Sequence, residues 1–304
     1  MATTPSTRPI TGHGTHPGAF RAGDWGLLSI TSLIWGASFL FIAVGLRSLE
    51  PGVIAAARVL LGASALLLFK RSRAPIERSD WWRIAAIGVV GQGAPALLFA
   101  LAEQHIDSAL AGMLVSTVPI ATVILVVAFT RKLPGVYQLG GIALGFVGVF
   151  FLAQPALGGV GASTLGVVYV LIAVFGYALS NVLYPPLQHR YGSLPVIMWS
   201  QVVATVALAP LGIAGLSTSR WEWAPVAAVF VLGVFGTGIA RAVHITLVGR
   251  VGPARGTLTS YFIPIIALTL GVVFLDEVVE PIQLIGIAVA LSGSYLVSQR
   301  ERAA

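Results

Sequence analysis

Residues 88–93 read Gly-Val-Val-Gly-Gln-Gly, and residues 233–238 read Gly-Val-Phe-Gly-Thr-Gly. A shift of 145 residues superimposes the two stretches, and it aligns residues 88–154 with residues 233–299 without a gap. Apolar helices match one another easily, but Gly, Pro and Gln in one register are much harder to match by chance. The pattern therefore predicts an internal repeat. Further identical pairs are Ala109 and Ala254, Pro119 and Pro264, Gln138 and Gln283, Gly141 and Gly286, and Gly148 and Gly293.

The chain around this repeat is too apolar for a typical soluble protein. Of its 304 residues, 57% are hydrophobic and 10% are charged, and the mean hydropathy is +0.91. Soluble domains carry about 25% charged residues, whereas a spanning helix needs about 20 mostly apolar residues. Hydropathy predicts ten spans, at about residues 24–45, 51–69, 84–102, 108–129, 137–154, 163–184, 194–212, 224–247, 254–274 and 281–298.

The positive charges predict the orientation of these spans. With both termini in the cytoplasm, fourteen Lys and Arg residues lie in inner segments, and only Arg47 and Arg220 lie in outer ones. This asymmetry follows the positive-inside rule and explains the net charge of +7 without a nucleic-acid partner. We expect a multi-pass protein of the cytoplasmic membrane. The inner set is Arg8, Arg21, Lys70, Arg71, Arg73, Arg78, Arg83, Arg131, Lys132, Arg190, Arg250, Arg255, Arg300 and Arg302.

Each half of the repeat contains five spans, in residues 24–154 and 163–298. Because five is odd, the second half enters the membrane in the opposite sense to the first. The predicted fold class is an all-α integral membrane protein with ten transmembrane helices in two inverted five-helix repeats. Many secondary transporters have this architecture, with substrate sites near the midplane where the halves meet. Residues 1–23 are expected to form a disordered cytoplasmic tail, and residues 299–304 a short one.

Three motifs resemble a known family. Residues 33–39 read Leu-Ile-Trp-Gly-Ala-Ser-Phe, Arg58 lies within Ala-Ala-Arg-Val-Leu-Leu-Gly, and the final helix of each half carries two glycines seven residues apart. Together these features resemble the drug/metabolite transporter superfamily, and specifically its EamA-type members, over nearly all of residues 24–298. The resemblance implies a secondary transporter, while the substrates of the family range over amino acids, sugars, nucleotide conjugates and toxic cations.

The resemblance also has departures. Glu277 looks like the acidic residue that the family has before the last helix of a repeat, but Arg131-Lys132 occupies the matching place in the first half. The second half has Phe175 where a Trp is common.

Two arginines fall inside predicted spans, where a charge costs about 2.5–3.5 kcal/mol. Arg58 and Arg241 are candidates to bind a substrate carboxylate or phosphate, because a guanidinium is a permanently charged planar fork. The alternative is that they reach the interface or pair with an acid such as Glu50. His244 lies three residues after Arg241 on the same helix face, so it is a candidate proton carrier or a packing residue.

Uncharged polar and aromatic residues within the spans are further candidates to contact substrate. The alternatives are helix–helix hydrogen bonds for the polar residues and core packing for the aromatic ones. Pro119 and Pro264, at matched repeat positions, are expected to kink two helices at midplane depth. Glu103, His105 and Asp107 are expected to lie in a solvated outer loop, and the alternative is a proton or substrate gate. The polar and aromatic candidates are Gln92, Asn181, Trp35, Phe39, Tyr177 and Tyr261.

The sequence lacks the motifs of several classes of function. There is no Cys, no nucleotide-binding Gly-x-x-x-x-Gly-Lys-Ser/Thr motif, no clustered metal ligands and no catalytic triad, so we expect no cofactor, no metal and no enzyme. The primary hypothesis is export of a small anionic or zwitterionic metabolite, with protons as a candidate coupling ion. The alternatives are a broad efflux pump for hydrophobic or cationic drugs and a membrane-embedded enzyme. Both halves lie in one chain, so a monomer or a homodimer fits.

Overall fold

A computed structural model describes residues 21–131, 135–157, 163–251 and 259–298. The predicted C-terminal tail, Lys132 and most of the predicted N-terminal tail lie outside these ranges. Residues 22 and 23 already belong to the first helix, so the predicted tail extends two residues too far. Within the described ranges the backbone is helical, without strands. The α-helices are α1 (Ala22–Gly45), α2 (Pro51–Leu67), α3 (Trp81–Gly88), α4 (Ala94–Ala102), α5 (Ser108–Leu114), α6 (Val118–Thr130), α7 (Val136–Leu157), α8 (Thr164–Tyr191), α9 (Ser193–Gly215), α10 (Trp223–Val231), α11 (Ala240–Val251), α12 (Thr259–Leu275) and α13 (Pro281–Ser298).

Length and composition make this a multi-pass membrane protein. Six helical segments are long and apolar enough to cross a bilayer: Ala22–Gly45, Arg78–Ala102, Ser108–Phe129, Thr164–Tyr191, Ser193–Gly215 and Trp223–His244. Four shorter apolar helices accompany them, at Pro51–Leu67, Leu139–Pro155, Thr259–Leu275 and Pro281–Leu296. Large apolar side chains such as Phe146 and Val273 are more than 60% exposed, as expected for a surface that faces lipid rather than water.

The two glycine-rich stretches of the repeat both depart from α-helix. The rod of α3 and α4 contains a π-helical turn at Val89–Gly93, and the rod of α10 and α11 contains a longer one at Leu232–Ile239. Such turns are rare and occur frequently at functional sites. Each leaves backbone carbonyls outside the regular α-helical bonding pattern, where side chains from neighbouring helices can reach them.

Packing contacts in one half have counterparts in the other. Helix α1 packs on α12, and α8, which takes the place of α1 in the second half, packs on α6. Helix α2 packs on the second π-helical turn, and α9 packs on the first. Two of the most extensive contacts join helices that occupy matching sequence positions, α2 with α9 and α7 with α13.

The α7–α13 pair is the most extensive of these contacts, and small residues bring its two backbones together. A Cβ atom added at Gly148 would lie 2.6 Å from the backbone nitrogen of Ala290, and one at Gly293 would lie 2.7 Å from the carbonyl oxygen of Gly141. Close approach at small residues is the usual basis of helix association in lipid.

The two matched prolines occupy different local settings. Pro119 lies in the first turn of α6, directly after a 3₁₀ turn at Val115–Thr117 that interrupts the rod begun by α5. Pro264 lies inside α12, whose backbone remains helical on both sides. Helix α8 also continues through Pro185 and Pro186 to Tyr191, seven residues beyond the predicted end of that span.

Candidate functional site

The second π-helical turn, Leu232–Ile239, is the centre of a polar cluster between the halves. The indole Nε1 of Trp35 on α1 donates to the Gly236 carbonyl at 3.0 Å, and the Gln201 amide on α9 donates to the Thr237 carbonyl at 2.8 Å. Gln201 is fully buried, and its Oε1 has no hydrogen-bond partner among the described residues. The irregular backbone thus joins α1 and α9 through its own carbonyl groups.

Arg58 brings a buried positive charge to this cluster. Its side chain is only 8% exposed, and its Nε donates to the Thr237 hydroxyl at 3.3 Å. Within the described parts of the chain it forms no ion pair with a carboxylate. The Arg58 guanidinium therefore lies inside the bundle with much of its hydrogen-bonding capacity unused.

Arg241 and His244 extend the cluster along α11. Both side chains are half-buried, and the charge of Arg241 acts on both Arg58 and His244. The His244 ring lies 4.8 Å from the Trp35 ring, and its Nδ1 is buried without a hydrogen-bond partner in the described residues. The two arginines predicted as anion-binding candidates and the predicted ring residues Trp35 and His244 therefore belong to one cluster.

An aromatic stack lies beside Arg58. The Phe39 ring of α1 meets the Phe99 ring of α4 edge-on at 5.6 Å, and Phe99 stacks on Tyr177 of α8 at 5.8 Å. The Tyr177 side chain lies in the neighbourhood of Arg58. Phe99 was not among the residues predicted from sequence, because a Phe in an apolar helix carries no signal of its own.

Glu103 corrects the expectation of a solvated acidic loop. It follows α4 by one residue, and both carboxylate oxygens are buried without a hydrogen-bond partner among the described residues. Burial raises the pKa of this carboxyl well above its usual range, the Glu277 charge raises the pKa further, and the Arg58 charge opposes both. His105 and Asp107 are exposed, as expected.

Glu277, the neighbour of Glu103, has a quite different environment. Its two carboxylate oxygens accept the backbone N–H groups of Ser108 and Ala109, each at 2.8 Å. These are the first residues of α5, so the carboxylate caps the positive end of that helix. Although the Asp107 side chain is exposed, partial desolvation by the surrounding protein and the Glu277 charge raise its pKa as well.

The first π-helical turn, Val89–Gly93, holds a neutral network instead of a charged one. The Gln92 amide donates to the Tyr184 hydroxyl at 2.5 Å, and that hydroxyl lies 3.5 Å from the Ser200 hydroxyl. Gln92 therefore joins α3–α4 to α8 and α9, away from Arg58.

Asn181 and Tyr261 are the other predicted contact residues. Asn181 is exposed on α8 and donates to the Thr122 hydroxyl on α6 at 3.3 Å, so it forms a helix–helix hydrogen bond. Tyr261 is half-buried on α12.

Buried acids at the helix ends were missed by the sequence analysis. Asp24, buried in the first turn of α1, accepts from Arg250 Nε of α11 at 2.6 Å. Asp80 accepts from Arg190 at 2.8 Å and from the Tyr191 hydroxyl at 2.7 Å. The partners are more than 100 residues apart, so only the tertiary structure reveals these pairs. No group of three or more metal-ligating side chains occurs in the described ranges.

Comparison with known proteins agrees with this architecture. The model of the EamA-like transporter family matches residues 25–154 and 164–299. A probable terminal-alkyne amino-acid exporter of Streptantibioticus cattleyicolor is 28% identical, over 91% of this chain and 93% of its own length. A probable amino-acid metabolite efflux pump of Escherichia coli is 25% identical, over 90% and 94%. One solved crystal structure superimposes with a TM-score of 0.63 at 19% identity, over 91% of this chain and 96% of that one, which shows a shared fold.

Proposed function

Because this chain belongs to the EamA-like transporter family, we propose that it exports small anionic or zwitterionic metabolites, amino acids or organic acids, across the cytoplasmic membrane. Transport would proceed by alternating access between two inverted five-helix halves. Both termini would lie in the cytoplasm, as the distribution of Lys and Arg favours.

The observation that carries the substrate class is the buried guanidinium of Arg58, which has no carboxylate partner among the residues that the structure describes. A buried charge without a counter-charge is strongly unfavourable, and a substrate carboxylate would supply that counter-charge. Thr237 fixes the Arg58 side chain through Nε, which leaves the two terminal nitrogens for a bidentate contact. Arg241, which acts on Arg58 from α11, adds to the attraction for an anion.

Two features support the inverted, ten-span arrangement. Six long apolar helices and four shorter ones give ten candidate crossings. Contacts also occur in matching pairs. The α1–α12 contact corresponds to the α8–α6 contact, and the packing of α2 on the second π-helical turn corresponds to that of α9 on the first. The names of the two relatives, an amino-acid exporter and a metabolite efflux pump, support export and an amino-acid substrate.

A second candidate function is efflux of hydrophobic drugs. The stack of Phe39, Phe99 and Tyr177 supports it, because aromatic faces bind apolar and cationic ligands without a charged partner. An Arg58 substitution would leave such transport largely intact, which separates the two hypotheses.

Transport by purified protein in liposomes tests the proposal. Vesicles would be loaded with separate pools of amino acids, organic acids and cationic dyes, and efflux would be followed by mass spectrometry. A charged hydrogen bond is worth about 1.5–3 kcal/mol, so Arg58→Ala should slow efflux of the amino acid or organic acid pool by about tenfold or more.

Arg47→Ala is the matched control, because Arg47 is exposed in a loop, and it should behave as wild type. Arg58→Lys keeps the charge and tests whether the planar fork is needed. If only dyes move, or if Arg58→Ala exports amino and organic acids normally, the proposed substrate class is wrong.

A further inference from the structure

The carboxyl group of Glu103 is buried without a hydrogen-bond donor among the described residues, and the proposed function gives it no role. A buried carboxylate needs hydrogen-bond donors, and leaving it ionised without any is costly. Both Glu103 oxygens lack a donor among the described residues. The residue also caps the C-terminal end of α4, where the helix dipole is negative and disfavours an anion.

The surrounding charges decide which carboxyl carries a proton. Glu277 accepts two backbone N–H groups at a helix N-terminus, so its oxygens have the donors that the Glu103 oxygens lack among the described residues. Its negative charge in turn disfavours a second negative charge on Glu103. When two carboxylates share a site, the proton resides on the one with the poorer environment.

A positive charge from another helix also acts on Glu103. Arg58 on α2 favours the ionised form of Glu103, and the Arg58 charge is itself influenced by Tyr177 on α8 and Arg241 on α11. In the loop that follows Glu103, Asp107 also experiences the Glu277 charge. The Glu103 carboxyl is therefore subject to the negative charge of Glu277 and the positive charge of Arg58, so its proton is held but can be displaced by a positive group.

We propose that Glu103 is the proton-binding site of this transporter and that the ammonium group of a zwitterionic substrate displaces the proton. The inference rests on the proposed function for its second half. The substrate carboxylate occupies Arg58 while its N–H groups donate to the Glu103 oxygens, and the released proton passes to solvent. Substrate and proton then compete for one carboxylate, which is the requirement for exchanging one proton inward for one substrate outward.

Competition at Glu103 also explains why an amino acid, rather than a simple organic acid, suits the site. A substrate without an ammonium group leaves Glu103 without a donor unless the proton stays bound. Amino acids should therefore release a proton on binding, whereas 2-hydroxy acids of the same skeleton should not.

Infrared spectroscopy of the protein in liposomes tests the proton site without any need for transport. Wild type should show the carbonyl band of a protonated, buried carboxylic acid at neutral pH. Glu103→Gln should lose this band, and the control Asp107→Asn, which alters an exposed neighbour, should retain it. If the band is absent from wild type or persists in Glu103→Gln, the proton does not reside on Glu103 and the proposal is overturned.

Proton release on binding tests the displacement. A pool of amino acids and a matched pool of 2-hydroxy acids would be added to weakly buffered protein with a pH indicator. About one proton per bound amino acid is expected from wild type and none from Glu103→Gln. Equal release by both pools, or none by amino acids that efflux assays show to be transported, overturns the displacement. If neither pool is transported, the proposed function fails, and the infrared band still tests the proton site.

Discussion

Arg131 and Asp276 lie 145 residues apart and share the same left-handed backbone conformation, with φ angles of 53° and 54°. They are the described non-glycine residues with positive φ, and each directly follows a helix, α6 in the first half and α12 in the second. Left-handed residues are a common way to end a helix. In the sequence alignment of the two halves, the residue after this turn is Lys132 in the first half and Glu277 in the second.

The identity of that following residue makes the two halves chemically unequal. Glu277 accepts two N–H groups from the start of α5, and a lysine has no acceptor with which to do the same. Lys132 lies outside the described residues. The sequence therefore has a carboxylate at this position in the second half alone, where Glu277 joins the end of α12 to the start of α5.

Glu277→Gln should destabilise the protein. The amide keeps one acceptor oxygen but loses the charge that complements the α5 dipole, so we expect a loss of about 1–2 kcal/mol. Thermal unfolding in detergent would measure it. Glu222→Gln is the control, because Glu222 is exposed and lies 3.9 Å from Arg220, and it should change stability by less than about 0.5 kcal/mol. Equal melting temperatures for both variants would contradict the capping role.

The α7–α13 contact predicts opposite effects for two glycines on one helix. Gly148→Ala would push a methyl group against the Ala290 backbone at 2.6 Å, and such overpacking costs about 1–3 kcal/mol. Gly140, also on α7, has no atom within 4 Å of an added Cβ, so Gly140→Ala should be neutral or stabilising, by up to about 1 kcal/mol. The melting temperatures of the two variants would test the contact. A Gly148→Ala protein as stable as Gly140→Ala would refute close packing there.

The positions of most helices could be predicted from the sequence, because an apolar stretch long enough to form a membrane helix can be recognised without tertiary information. The internal repeat could also be predicted, because glycine and proline have specific effects on the backbone and recur at matched positions in the two halves. The sequence did not indicate that α8 continues through Pro185 and Pro186, because paired prolines ordinarily end a helix and only neighbouring packing supports one beyond them.

Side-chain orientation was harder to predict than helix position. A membrane helix is apolar on most faces, so periodicity does not say which face points inward. Asn181, a candidate either to contact substrate or to join helices, is exposed on α8 and donates to Thr122 of α6, while Arg58, Arg241, Trp35 and His244 do come together. Glu103 was assigned to a solvated loop because His105 and Asp107 follow it. The charges that act on it, those of Glu277 and Arg58, come from segments distant in sequence.

Thr237→Val should weaken transport more than stability. The substitution keeps the shape of the side chain but removes the hydroxyl that accepts from Arg58 Nε at 3.3 Å, so the guanidinium loses its fixed orientation. We expect a several-fold rise in the half-saturating substrate concentration, since a hydrogen bond to a charged group is worth about 1.5–3 kcal/mol. Thr246→Val, on an exposed position of α11, is the control. If both variants transport alike, Thr237 does not position Arg58.

The burial of Glu103 predicts a pH-dependent effect of Glu103→Gln on stability. The pKa of this carboxyl is raised in the native protein by burial and by the Glu277 charge, while in the unfolded chain it is about 4.3. The native state therefore binds a proton that the unfolded state releases between these two pKa values. Stability from this group is fully present below the unfolded pKa and is lost as pH rises through the native pKa.

Glutamine cannot ionise, so Glu103→Gln should not lose stability in this window. The melting temperature of the variant minus that of wild type should increase as pH rises from about 5 to about 9, in the sense that linkage requires. Glu222→Gln, at an exposed position, should follow the wild-type curve. A difference that shrinks with rising pH would mean that Glu103 is stabilised as an anion in the native protein, and Arg58 would then be its ion-pair partner rather than a site for substrate.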